Sequence, residues 1–228
     1  MRTGRVLDVT CPRTWTGATD RLRLVKLHHK SDEYKAVKKC AITNQWDQGS
    51  GKPYVKGQLR VTAIHRVQSL HVWEQYCMRR AVVAAENDGN PGEEMLWHGT
   101  TVTDVLVRKG LDPRVCSLEG LFGGGVYFAD RSTKSVRYAG CQQPGDRGKL
   151  LLCRVALGRQ MVQRWPSRGL RRCPEPFPLF LSEMMDWACD CQYHSIFAPA
   201  GILLLMNELI VYHTNQGCER RLILEHFS

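Results

Sequence analysis

Two short apolar runs, each containing glycine and each ending in a polar residue, constrain this chain to brief strands joined by tight connections. The first is Met95-Leu96-Trp97-His98-Gly99-Thr100. The second is Leu121-Phe122-Gly123-Gly124-Gly125-Val126-Tyr127-Phe128-Ala129-Asp130, and a small helix carrying Lys134, Ser135 and Tyr138 follows it. Gly99 and the glycine triplet read as places where backbone approaches a flat ligand that a β-carbon would exclude. His98, Tyr127 and Tyr138 bring hydrogen-bonding groups and aromatic faces to the same neighbourhood. Farther on, Asn207-Glu208-Leu209-Ile210-Val211-Tyr212 sets a lone carboxylate in an apolar run that begins at Leu203. Such a carboxylate is costly unless it is partnered or faces a cleft. The alternative is an outward-pointing residue on a half-exposed strand.

The rest of the chain supplies a frame for these residues. Leu22 to Leu27 reads as a first strand, and Asp32 to Cys40 as a short amphipathic helix capped by Ser31. Leu59, Val61, Ile64 and Val67 suggest a strand. Leu70 to Glu86 has a helical period through Leu70, Trp73, Cys77, Val82 and Ala85 and stops at a turn over residues 87–92. A helix from Thr101 to Lys109, capped by threonine, ends at Gly110. Leu150 to Leu157 is a buried strand, residues 158–193 are irregular, and Arg221 to His226 closes the chain. Many short strands with few helices predict an α+β domain of two packed, mainly antiparallel sheets with flanking helices. Residues 1–20, rich in Thr, Arg and Gly, read as a tail or linker before a domain at 21–228.

Charge and cysteine narrow the setting. The net charge of +10 is uneven: residues 1–60 carry 13 Lys and Arg against 5 acids, and residues 159–172 carry five arginines and no acid. Two basic surfaces on a near-neutral body suit a polyanion, with a merely solvated face as the alternative. No apolar run approaches the ~20 residues of a membrane span. Ten cysteines without a secretory leader fit reduced thiols and an intracellular address, cytoplasmic or nuclear. Gly49 to Pro53 fails as a phosphate loop, because Trp46 and Pro53 replace its first glycine and its Ser or Thr. The triplet 123–125 has the wrong spacing for a dinucleotide fingerprint and leads into a strand. Cys189, Cys191, His194 and Cys173 match no common zinc spacing, so no metal is expected.

His98 in His-Gly, Tyr127 in Val-Tyr-Phe-Ala and Glu208 in Asn-Glu-Leu-Ile-Val-Tyr resemble the His-Tyr-Glu triad of the poly(ADP-ribose) polymerase catalytic domains. These are diphtheria-toxin-like ADP-ribosyltransferases, and the resemblance is closest to tankyrase from about Arg21 onward. It implies the ADP-ribosyltransferase fold, NAD as co-substrate and protein acceptors, with poly(ADP-ribose) elongation expected and single-unit transfer as the alternative. It also implies Glu208, His98 and Tyr127 as catalytic residues. The dinucleotide would meet His98, Gly99, Thr100, Tyr127, Phe128, Ala129, Lys134, Ser135 and Tyr138. Residues 111–121 would form the loop over the donor, without a tyrosine at Ser117 or Leu121. Residues 159–192 would form the acceptor-side loop. The zinc loop of tankyrases is not expected, since only Cys141 remains there. A non-catalytic module binding NAD or ADP-ribose, and a nucleic-acid-binding surface without chemistry, stay open at this stage.

Overall fold

The computed structural model describes residues 10–17, 21–43, 59–141, 145–175 and 192–227. Gly49 to Pro53, Cys189 and Cys191 lie outside them. A five-stranded sheet has the order β1 (Arg23–Lys26), β2 (Leu59–Gln68), β9 (Gly217–Phe227), β5 (Arg147–Ala156), β3 (Glu93–Gly99), antiparallel throughout. A four-stranded sheet runs β4 (Val126–Phe128), β8 (Glu208–Val211), β7 (Ser195–Ala198), β6 (Gln160–Val162), with only the β6–β7 pair parallel. The expected α+β architecture is therefore present. One strand, β6, falls inside the stretch expected to be irregular.

Alternation along the central strands builds the core between the sheets. Val67, Leu96, Leu151 and Val155 of the larger sheet bury against Val126, Phe128, Leu209 and Val211 of the smaller. A second cluster under α1 (Asp32–Thr43) gathers Tyr34, Val37, Ile64, Trp97 and Leu150. Ser31 caps α1 as expected, its Oγ accepting from the Tyr34 amide at 3.2 Å.

Two helices differ from expectation. On α2 (Leu70–Ala85) the buried stripe is Val72, Trp73, Tyr76 and Val83, while Val82 is exposed. The stripe turns toward Tyr76 because its hydroxyl is bound by Glu93 Oε1 at 2.5 Å on β3, which lets an otherwise polar tip be buried. The helix α3 (Thr103–Lys109) starts later than expected, after Val102, and no side chain caps its first turn. Thr100 Oγ1 instead accepts weakly from the Val102 amide at 3.3 Å. Residues 10–17 lie against the body: Trp73 Nε1 donates to the Thr10 carbonyl at 3.1 Å, and the Trp15 ring sits 6.2 Å from that of Trp73.

Candidate active site

The two sheets meet where β3 passes β4. Trp97 and Ala129 exchange backbone hydrogen bonds of 2.8 and 2.9 Å, an isolated bridge outside both ladders. The next residue of β3, His98, is thereby set beside the strand carrying Tyr127. Its Nδ1 lies 2.8 Å from the Tyr127 carbonyl. A carbonyl can only accept, so Nδ1 carries the proton and Nε2 keeps a lone pair. Burial holds the His98 pKa below its usual value, against the opposing pull of the Tyr127 hydrogen bond. A neutral imidazole with an accepting Nε2 results.

A cavity of about 700 Å³ opens here, within the range of small-molecule sites. Every residue expected to meet the dinucleotide lines it: His98, Gly99, Thr100, Tyr127, Phe128, Ala129, Lys134, Ser135 and Tyr138. Glu208 lines it too. It opens β8 rather than sitting inside a longer strand, since Leu203 and Leu205 just before it are exposed. The preceding Asn207 fixes its place, donating from Nδ2 to Asp130 Oδ2 and accepting the Ala200 amide, both at 2.8 Å.

Glu208 is 6% exposed, and its Oε1 lies 2.8 Å from Lys134 Nζ. Lys134 sits on α4 (Ser132–Val136), whose five residues are all buried. This ion pair was not legible in the chain, where 74 positions separate its members. Its closeness satisfies the requirement that a buried carboxylate have a partner.

The glycines serve a different purpose from the one expected. A β-carbon on Gly99 would lie 1.8 Å from the Ser135 carbonyl oxygen, so this glycine lets β3 press against α4. On Gly123, whose φ is +76°, it would meet the Leu170 backbone at 2.3 Å. On Gly124 it would meet Leu118, and on Gly125 it would meet Ile210 Cγ2 at 2.3 Å. Protein, not ligand, occupies the space these residues leave.

Tyr127 presents its ring to the cavity, but its hydroxyl is committed elsewhere. It accepts the Phe122 amide and donates to the Gly123 carbonyl, both at 2.9 Å. Burial pushes its pKa up to about 12, partly offset by the Phe122 bond. Tyr212 clamps the same turn from the other side by donating to the Phe122 carbonyl. Tyr138, which also lines the cavity, is 60% exposed.

The loop over residues 111–121 contains a 3-10 turn at Pro113–Val115 and contributes Cys116, Ser117, Glu119, Gly120 and Leu121 to the cavity. Residues 167–170, within the stretch expected to be the acceptor-side loop, dock onto this loop. The Ser167 amide donates to Leu121 O at 2.7 Å, and the Gly124 amide donates to Leu170 O at 2.8 Å. Arg168 reaches the cavity by this route, which no spacing in the sequence indicated. Among the described residues no cluster of three metal-ligating side chains forms. His194 Nδ1 accepts the Arg159 amide at 3.0 Å and its Nε2 lies 3.1 Å from Glu86 Oε2, so both ring nitrogens are engaged.

Residues 31–167, well over half of the chain, match the profile of the Poly(ADP-ribose) polymerase catalytic domain. The chain belongs to this family. It is 31% identical over 150 residues to poly(ADP-ribose) polymerase 2-B of Oryza sativa subsp. japonica, covering 63% of this chain and 22% of that protein. It is 32% identical over 210 residues to protein mono-ADP-ribosyltransferase PARP10 of Mus musculus, covering 88% and 19%. With poly(ADP-ribose) polymerase tankyrase of Caenorhabditis elegans the identity is 31% over 121 residues, covering 50% and 5%. The aligned part is about a fifth of the length of the first relatives it matches. The family match ends before Glu208, so the place of that carboxylate rests on geometry: β8 carries it into the cavity that His98 and Tyr127 line.

Proposed function

We propose that this domain is an NAD-dependent protein ADP-ribosyltransferase, and the observation that carries the reading is Glu208, buried, paired with Lys134 and facing the same cavity as His98. The nicotinamide of NAD leaves as a neutral ring from a nitrogen already bearing positive charge, so departure needs no general acid. What it needs is relief of the oxocarbenium-like charge left on the ribose, and a hydrogen bond to the 2-hydroxyl that strengthens in the transition state. A fixed carboxylate supplies both, and in a site this sheltered its field is stronger than in water. Lys134, its Nζ 2.8 Å from Oε1, holds Glu208 in place.

The other residues bind and orient. His98 Nε2 would accept from a ribose hydroxyl, and its tautomer is set by the Tyr127 carbonyl. The rings of Tyr127 and Tyr138 would flank the nicotinamide, and Gly99 offers backbone groups to the carboxamide beside the Ser135 hydroxyl. Tyr127 acts as a wall and loop anchor rather than a proton carrier, because its hydroxyl is already engaged.

Transfer goes to protein acceptors, and elongation into poly(ADP-ribose) is the extended reading: the same carboxylate can activate an acceptor ribose hydroxyl. Single-unit transfer is the second reading. It is favoured by the likeness over 88% of this chain to a protein named as a mono-ADP-ribosyltransferase. The basic surfaces would meet a polyanion such as the growing chain, and the thiol-rich composition suits the cytosol or nucleus. Among the described residues no helix is long and apolar enough to cross a membrane.

Incubation with labelled NAD tests all of this together. Released nicotinamide marks the chemistry, and sizing of the attached label separates polymer from single units. Glu208→Gln is expected to bind ADP-ribose and release no nicotinamide. A parent protein that binds NAD without turnover would make this a non-catalytic module.

A further inference from the structure

One cation at the cavity has no part in the chemistry so far described. Lys134 is matched by Glu208. Arg168, exposed on the segment after β6, lines the same cavity, and it forms no ion pair within the described residues. Its position is built rather than incidental. The Ser167 and Gly169 amides donate to Leu121 O and Leu118 O at 2.7 and 3.3 Å, and Leu170 O accepts the Gly124 amide at 2.8 Å. Between these bonds, Arg168 Nη1 donates to the Glu119 carbonyl at 2.9 Å. That contact uses one hydrogen of a planar group with five N–H donors, and the remainder keep the full positive charge.

We propose that Arg168 binds the diphosphate of the dinucleotide substrate, an inference that rests on the NAD reading of this cavity. A diphosphate presents adjacent anionic oxygens, which a guanidinium fork can engage in pairs. Because the guanidinium is held by the donor loop's own backbone, little ordering is lost when it meets the anion. Glu119, exposed and lining the same cavity, brings the opposing charge and reduces the local field. Its removal strengthens the same contact.

The test compares nicotinamide, which has no phosphate, with ADP-ribose, which has the diphosphate and no nicotinamide. Titration calorimetry on the full chain reads both, and NAD turnover gives KM. Arg168→Gln is expected to raise the ADP-ribose Kd and the NAD KM about tenfold, the scale of one charge-assisted bond, and to leave the nicotinamide Kd within about twofold. Arg168→Lys recovers part of the loss, and Glu119→Gln tightens ADP-ribose. The affinity of the unsubstituted protein for ADP-ribose weakens with added salt more steeply than that of Arg168→Gln. Equal weakening of both ligands in Arg168→Gln would show that Arg168 only props the loop, and an unchanged ADP-ribose Kd would show that it does nothing here. Either result overturns the proposal while nicotinamide release by the parent protein still stands. A parent protein that binds neither ligand sinks both readings.

Discussion

Separating Lys134 from Glu208 is the perturbation that most directly tests how the site is held. The ions are 2.8 Å apart, with side chains 10% and 7% exposed. At an effective dielectric near 20, unit charges roughly 3 Å apart attract by about 5–6 kcal/mol, and desolvation of both ions cancels several of these. Truncating one member of a fully buried pair costs about 3–5 kcal/mol. Because this pair faces a cavity that water can enter, about 2–3 kcal/mol is expected for either Lys134→Met or Glu208→Gln. In a domain of this size that lowers Tm by roughly 5–10 °C. The double variant loses less than the sum of the singles, giving a coupling of about 2 kcal/mol. Urea unfolding of the four proteins measures it. Nicotinamide release then divides the roles: Glu208→Gln stops it, whereas Lys134→Met keeps the carboxylate but lets it drift, lowering kcat more than it raises KM. Additive stabilities, with a coupling below about 0.5 kcal/mol, would refute the claim that Lys134 holds Glu208 in place.

Further expectations follow from the same geometry. Gly99→Ala sets a β-carbon 1.8 Å from the Ser135 carbonyl oxygen, so about 3 kcal/mol of stability and most ADP-ribose affinity are lost together, as unfolding and calorimetry would show. Tyr127→Phe keeps the ring and strips the bonds to Phe122 and Gly123, costing about 1–3 kcal/mol and raising the NAD KM through a loosened donor loop. Burial lowers the pKa of His98, His65 and His194 below their usual 6.5. The unfolded chain therefore takes up more protons below that pH, and stability, full above 6.5, falls as pH drops through it, by up to about 1.4 kcal/mol per unit for each histidine. A urea midpoint that rises on acidification from 7 to 5.5 would contradict this assignment.

Much of the frame could be read from local pattern. Ser31 announced its helix through an N-cap, and Met95 to Trp97 announced the strand that carries His98, which runs Glu93–Gly99. What could not be read depended on contacts between distant segments. The chain shows Glu208 in a greasy run, but the exposure of Leu203 and Leu205 and the turn tied by Asn207 to Asp130 are tertiary facts. A glycine triplet looks the same whether its missing side chains make way for a ligand or for Leu170. Arginines at 159–172 advertise charge without direction, and only their docking onto residues 118–124 brings Arg168 to the cavity. The stripe of α2 was misread by local period alone, because Tyr76 becomes a core residue only once Glu93 receives its hydroxyl.

The reciprocal bonds between Trp97 and Ala129 have a mechanical consequence. They rivet two independent ladders together beside the cavity that His98, Tyr127 and Glu208 line. Neither ladder can slide without the other, so the distances among those three groups are insulated from flexing at the outer strands. Adjustment to ligands of different shape falls to the rim, where residues 116–121 and 167–170 are fastened to each other.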